Sequence, residues 1–231
     1  MTTAFVAMPT AMLSAHDFWL VPNAFYVAPG GSLEVLGQTG IRFPASESAL
    51  PADRVAEARL IAATADERLE NLSVSGTSLL IRHRPSTPGQ RVVAISLVTR
   101  KSRTTPASFK RYVALEGAPE LAEHYERTGL FPTSDSLWQQ TTKFAKTIVE
   151  VGHNGARAFS RAAGHALELI PLGDPSSLQL GDEFAVRLVY RGKALPDAYL
   201  RVGMAFRGIS GQGDANSTGG ALPSAAPADT A

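Results

Sequence analysis

The chain has 231 residues, 44% of them apolar, with 22 Lys and Arg against 21 Asp and Glu. That length and apolar share suffice for one or two ordinary domains with buried cores. The near-neutral charge, with no basic stripe carrying interleaved aromatics, argues against a dedicated nucleic-acid binder. The lack of cysteine excludes thiolate metal sites, disulfides and a cysteine nucleophile without excluding export. No apolar run approaches the ~20 residues of a membrane span.

Residues Met1 to Ala15 hold an apolar stretch from Ala4 to Leu13, broken by Pro9 and Thr10 and closed by the small residues Ser14 and Ala15. This resembles the later part of a secretory signal with its cleavage site. No Lys or Arg precedes it, and Leu13 is large for its place before the cut; a start codon set too far downstream would account for the missing basic end. Cleavage after Ala15 would make the protein periplasmic and place His16 first. A leading histidine offers two nitrogen ligands, its freed amine and its imidazole.

Phe18 to Val21 and Ala24 to Val27 have strand composition, and Pro29-Gly30-Gly31 marks a turn. Ser32 to Thr39 alternates, with Leu33, Val35, Gly37 and Thr39 on one side. Residues 41–53 read as loop. Val55 to Ala63, Leu69 to Val74, Ser78 to His83 and Arg91 to Thr99 are further predicted strands. Short strands separated by turn signals point to an antiparallel sandwich.

The period then changes. Pro106 to Gly117 has helical spacing, and a short helix is predicted from Pro119 to about Gly129. A third is predicted from a Ser134 or Asp135 cap to about Val149, with Trp138, Thr141, Ala145 and Ile148 inward. Strands resume at His165 to Pro171 and Glu183 to Tyr190, the latter with Phe184, Val186, Leu188 and Tyr190 on one face, and continue from Leu195 to Phe206. The Gly/Ser/Ala/Pro tail from 207 cannot bury enough apolar surface to order itself.

Certain pieces, in this order, are Ala15-His16-Asp17-Phe18-Trp19-Leu20; Pro88-Gly89; Phe109-Lys110-Arg111-Tyr112 followed by Glu116-Gly117; and Lys143-Phe144-Ala145-Lys146 running into Val149-Glu150-Val151-Gly152. Leu167-Glu168-Leu169-Ile170-Pro171-Leu172, Leu180-Gly181-Asp182 and Gly192-Lys193-Ala194-Leu195-Pro196 complete the set. Together, over roughly residues 15 to 203, they resemble a domain-of-unknown-function family of exported bacterial proteins, related to the periplasmic component of nickel and cobalt uptake transporters. The resemblance implies a mainly β fold of two Ig-like sandwich units joined by a helical segment. It also implies a periplasmic role associated with metal uptake beside a membrane transporter, and, with no catalytic motif in the chain, a non-enzymatic protein is expected. The layout then reads 1–15 signal-like, 16–105 first β unit, 106–152 helical connection, 153–206 second β unit and 207–231 tail. Family members continue with strands that close the second unit, so that unit is expected to be incomplete here.

The expected metal ligands are His16 and Asp17, joined by His153 and His165 across a loop. Nitrogen and oxygen donors suit nickel or cobalt, with copper and zinc also accommodated. His83 sits between Arg82 and Arg84, a positive setting that disfavours a cation, and His124 is expected on a helix surface. No nucleophile elbow, phosphate loop or zinc-helix motif occurs. A sandwich module binding a partner or sugar without metal is the alternative. A copper oxidase built on a leading histidine ranks last, because only His16 supports it.

Overall fold

A computed structural model describes residues 16–115, 119–130 and 134–196, with single positions 198, 200 and 202. The signal-like segment, the tail and most of the strand expected from Leu195 to Phe206 lie outside the described residues. The strands are β1 (Asp17–Pro22), β2 (Tyr26–Val27), β3 (Leu33–Gly40), β4 (Val55–Ile61), β5 (Asp66–Arg68), β6 (Leu72–Ser75), β7 (Ser78–His83), β8 (Gly89–Leu97) and β9 (Arg100–Thr104). Helices α1 (Pro106–Leu115) and α2 (Pro119–Arg127) follow, then β10 (Leu137–Thr141), β11 (Phe144–Val151), β12 (Leu167–Pro171), β13 (Val186–Tyr190) and β14 (Lys193–Ala194). The fold is mainly β.

Two sheets form the body. One has the order β1-β3-β7-β6 and the other β2-β11-β8-β4-β5. All pairs are antiparallel except β2 with β11, which runs parallel. Their inner faces share one core. Leu20, Leu33, Val35, Leu79 and Ile81 of the first sheet pack with Ala58, Leu60, Val93, Ile95, Leu97 and Val149 of the second. Fully burying each larger side chain contributes about 1.5–3 kcal/mol before entropy is counted. The alternation read in β3 is real, with Leu33, Val35 and Gly37 buried.

The second sheet is covered on both faces. Ile61, Val92 and Ala94 point away from the shared core and pack with Ala158 and Ala163, and Ile148 rests against them. This explains the unbroken apolar run in β8: a strand buried on both sides has no polar face to alternate with.

The third predicted helix is corrected. Residues 137–151 form β10 and β11. Val149 faces the main core while Ile148 faces the outer cluster. Apolar residues on both faces of a strand imitate helical spacing, and pairing with β8 along the whole of β11 decides the outcome. Beyond it, β9 and β10 pair as a separate two-stranded ribbon that carries the two helices. The later strands make a three-stranded sheet ordered β12-β13-β14. In β13 the buried residue is Val189, whereas Tyr190, on the predicted shared face, and Phe184, ahead of the strand, are exposed. The described residues as far as Ala198 belong to one compact unit, and beyond them Leu200 and Val202 are both exposed.

Candidate functional site

His16 lies immediately before β1, whose first residue, Asp17, is exposed and stands opposite Gly40 at the end of β3. After Gly40 the chain folds back closely. A Cβ on Gly40 would come within 2.5 Å of the Ala45 carbonyl oxygen, so glycine lets the loop lie against the strand end. Within that loop the Glu47 amide donates to the Thr39 carbonyl at 2.8 Å. The Glu47 carboxylate accepts from the Ile41 amide at 3.0 Å through Oε1. Its other oxygen, Oε2, lies 3.0 Å from His16 Nε2. Trp19 braces the same corner, donating to Gln38 at 3.1 Å and meeting the Phe43 ring edge-on at 5.6 Å.

The corner is therefore an imidazole facing a carboxylate that the Ile41 amide holds, on a residue whose own amide is tied to the Thr39 carbonyl. The side chains are 36% and 40% exposed, so the pair itself adds little stability and both groups remain reachable by a ligand. Glu47 was not legible in the sequence, because a loop without periodicity gives no sign of which residue returns to the strand head.

Of the expected ligands, Asp17 stays beside His16, whereas His153 and His165 have other partners. His153 follows β11, where its Nε2 is 3.0 Å from the Tyr26 hydroxyl and the two rings stack at 4.9 Å. Tyr26 belongs to β2, past the far end of β1, so the six residues of β1 separate His153 from His16 by on the order of 20 Å. His165 is buried on the outer face of the second sheet, 5.0 Å from the Phe144 ring. No group of three or more His, Asp or Glu side chains able to hold a metal ion occurs among the described residues. His83, read as lying in a positive setting, meets Glu67 at 3.3 Å, and His124 is exposed on α2 as expected.

His165 belongs instead to a buried polar junction. Lys146 of β11 meets Glu168 of β12 at 2.7 Å, and Glu168 also accepts from the amides of Ala163 at 2.7 Å and Gly164 at 3.0 Å. Arg59 donates to the Ala163 carbonyl. Burial pushes the Glu168 carboxyl up, but the Ala163 amide together with the bond to Lys146 and its charge outweighs burial, so it sits below its ordinary range. Burial lowers the pKa of His165 and keeps the ring neutral; Glu168 opposes that shift, and Lys146 and Arg59 reinforce it. Nearby, the fully buried Gln90 accepts from the Ala158 and Phe159 amides at 3.0 and 2.6 Å and donates to Asp174 at 3.1 Å. No buried side-chain nitrogen or oxygen among the described residues lacks a partner. A polar network satisfied in this way rigidifies a fold; it does not present a reactive group.

No curated protein and no solved structure gives a significant match to the chain. One family profile does match, over residues 13–219, from the strand-head segment through the sandwich, the junction and the three-stranded sheet. The chain therefore belongs to the family described as Domain of unknown function (DUF4198).

Proposed function

We propose that this chain is an exported, periplasmic protein that binds a divalent transition-metal ion, nickel or cobalt, at the head of β1 and serves a membrane metal-uptake transporter. The observation that supports this reading is the approach of His16 Nε2 to Glu47 Oε2 at 3.0 Å on an accessible corner. A chain beginning at His16 would add its free amine. The donors are then two nitrogens and a carboxylate oxygen, a set that suits these ions. The metal is cargo in this reading, and the residues that hold it are His16 and Glu47, with Asp17 adjacent.

The test compares two purified proteins, one beginning at Met1 and one at His16, by calorimetric titration with nickel(II) and cobalt(II). Binding is expected in the shorter protein and at least roughly tenfold weaker in the longer one and in His16→Ala, the cost of losing about 1.4 kcal/mol of ligand interaction. Glu47→Gln is expected to weaken it without changing the fold. Equal affinity in all four proteins, or no metal-dependent rise in melting temperature, sinks the proposal and leaves a sandwich module that works without metal.

A further inference from the structure

The β9–β10 ribbon carries the most exposed tryptophan of the described residues. Trp138 is 69% exposed. Register pairs it with Arg103 and pairs Gln140 with Lys101. Residues directly opposite in an antiparallel pair share a face, so Lys101, Arg103, Trp138 and Gln140 stand together, and all four are exposed. The other face holds Ser102, Thr104, Leu137 and Gln139, which are buried or half-buried, and at its end the exposed Arg100 opposite Thr141. The Arg103 guanidinium lies 5.7 Å from the Trp138 ring centroid and donates to Ser136 Oγ at 2.7 Å, which fixes the cation beside the indole. Residues 98–115 contain Arg100, Lys101, Arg103, Lys110 and Arg111 and no Asp or Glu, although the whole chain carries only +1. Lys110 is committed to Glu126. Lys101 makes no ion pair with any described residue.

We propose that this face of the ribbon docks on an anionic phospholipid surface. An indole among cations matches the headgroup region, where the ring sits at the boundary and its N–H stays wet while the cations meet phosphates. A protein partner fits less well. A stable protein interface needs about 800 Å² per side with an apolar centre, whereas Lys101 and Gln140 flank a single ring here. The ribbon is distinct from the His16 corner, and this proposal does not depend on the metal reading.

The test is co-sedimentation of the intact protein with vesicles of phosphatidylcholine alone and of phosphatidylcholine mixed equally with phosphatidylglycerol. Binding is expected only to the mixed vesicles and is expected to fall with salt. Lys101→Gln with Arg103→Gln should weaken it roughly fivefold per cation, and Trp138→Ala should weaken it further. In a Trp19→Phe protein, Trp138 is the sole tryptophan of the chain's two, and its emission should shift to the blue on mixed vesicles. Failure to sediment with mixed vesicles overturns the proposal. So does sedimentation that the ribbon substitutions leave unchanged, or capture by soluble dextran sulfate without vesicle binding, which would make the face a general polyanion site. Circular dichroism of each variant separates a lost surface from a lost fold.

Discussion

Lys146 and Glu168 join two sheets through one ion pair of 2.7 Å, with side chains 13% and 2% exposed. Lys146 sits opposite Ala94 on the outer face of the sandwich, and Glu168 sits opposite Val189 in the three-stranded sheet. A charge pair therefore occupies the position where two apolar faces would ordinarily meet. The apolar side of the later sheet, including Leu167, Leu169 and Tyr190, is exposed instead.

Removing one member of this pair strands the other. Glu168→Ala leaves the Lys146 ammonium and the amides of Ala163 and Gly164 without their acceptor, and should destabilise the protein by about 3–5 kcal/mol. Glu168→Gln retains an acceptor oxygen and should cost less. Urea unfolding of the two variants checks the order; a loss below about 1 kcal/mol for Glu168→Ala would show that water replaces the pair.

The junction also sets the response to acid. Unfolded His165 takes up a proton near 6.5, and burial lowers the folded value. The unfolded state therefore binds more protons below that pH, and stability falls as pH drops through 6.5 toward the folded value. Glu168 is shifted below its ordinary 4.5. Its contribution is complete above 4.5 and is lost as pH falls through the lower folded value. Urea midpoints measured down the pH scale should decline in two stages, and His165→Asn should abolish the first stage while keeping the second.

Gly155 marks a close approach of two backbones. A Cβ there would lie 2.2 Å from Gly89 Cα and N, so neither partner can yield by rotating a side chain. Gly155→Ala should cost about 3 kcal/mol, the upper end of ordinary overpacking. Gly173→Ala meets nothing within 4 Å and should be near neutral. Melting temperatures of the two variants give the comparison.

The double coverage of the second sheet can be tested with two isoleucines. Ile95 faces the shared core and Ile61 the outer cluster, and both are fully buried. Each change to Ala should cost about 2–5 kcal/mol. A small effect at Ile61 would mean that the segment with Ala158 and Ala163 does not shield that face.

Sequence periodicity alone identified the mainly β class, the strand Ser78–His83 to the residue, and both α1 and α2, because alternation and helical spacing are local properties of the chain. The signal-like segment ending at Ala15 made His16 the first expected metal ligand. Tertiary structure decided what periodicity left ambiguous. Residues 144–151 carry apolar groups on both faces, and only pairing with β8 makes them a strand. The partners of the candidate ligands were likewise hidden. Glu47 reaches His16 across a separation of 31 residues, and Tyr26 reaches His153 across 127. Contacts at that range depend on which strands neighbour one another, and strand order has no signature in the local spacing of residue types.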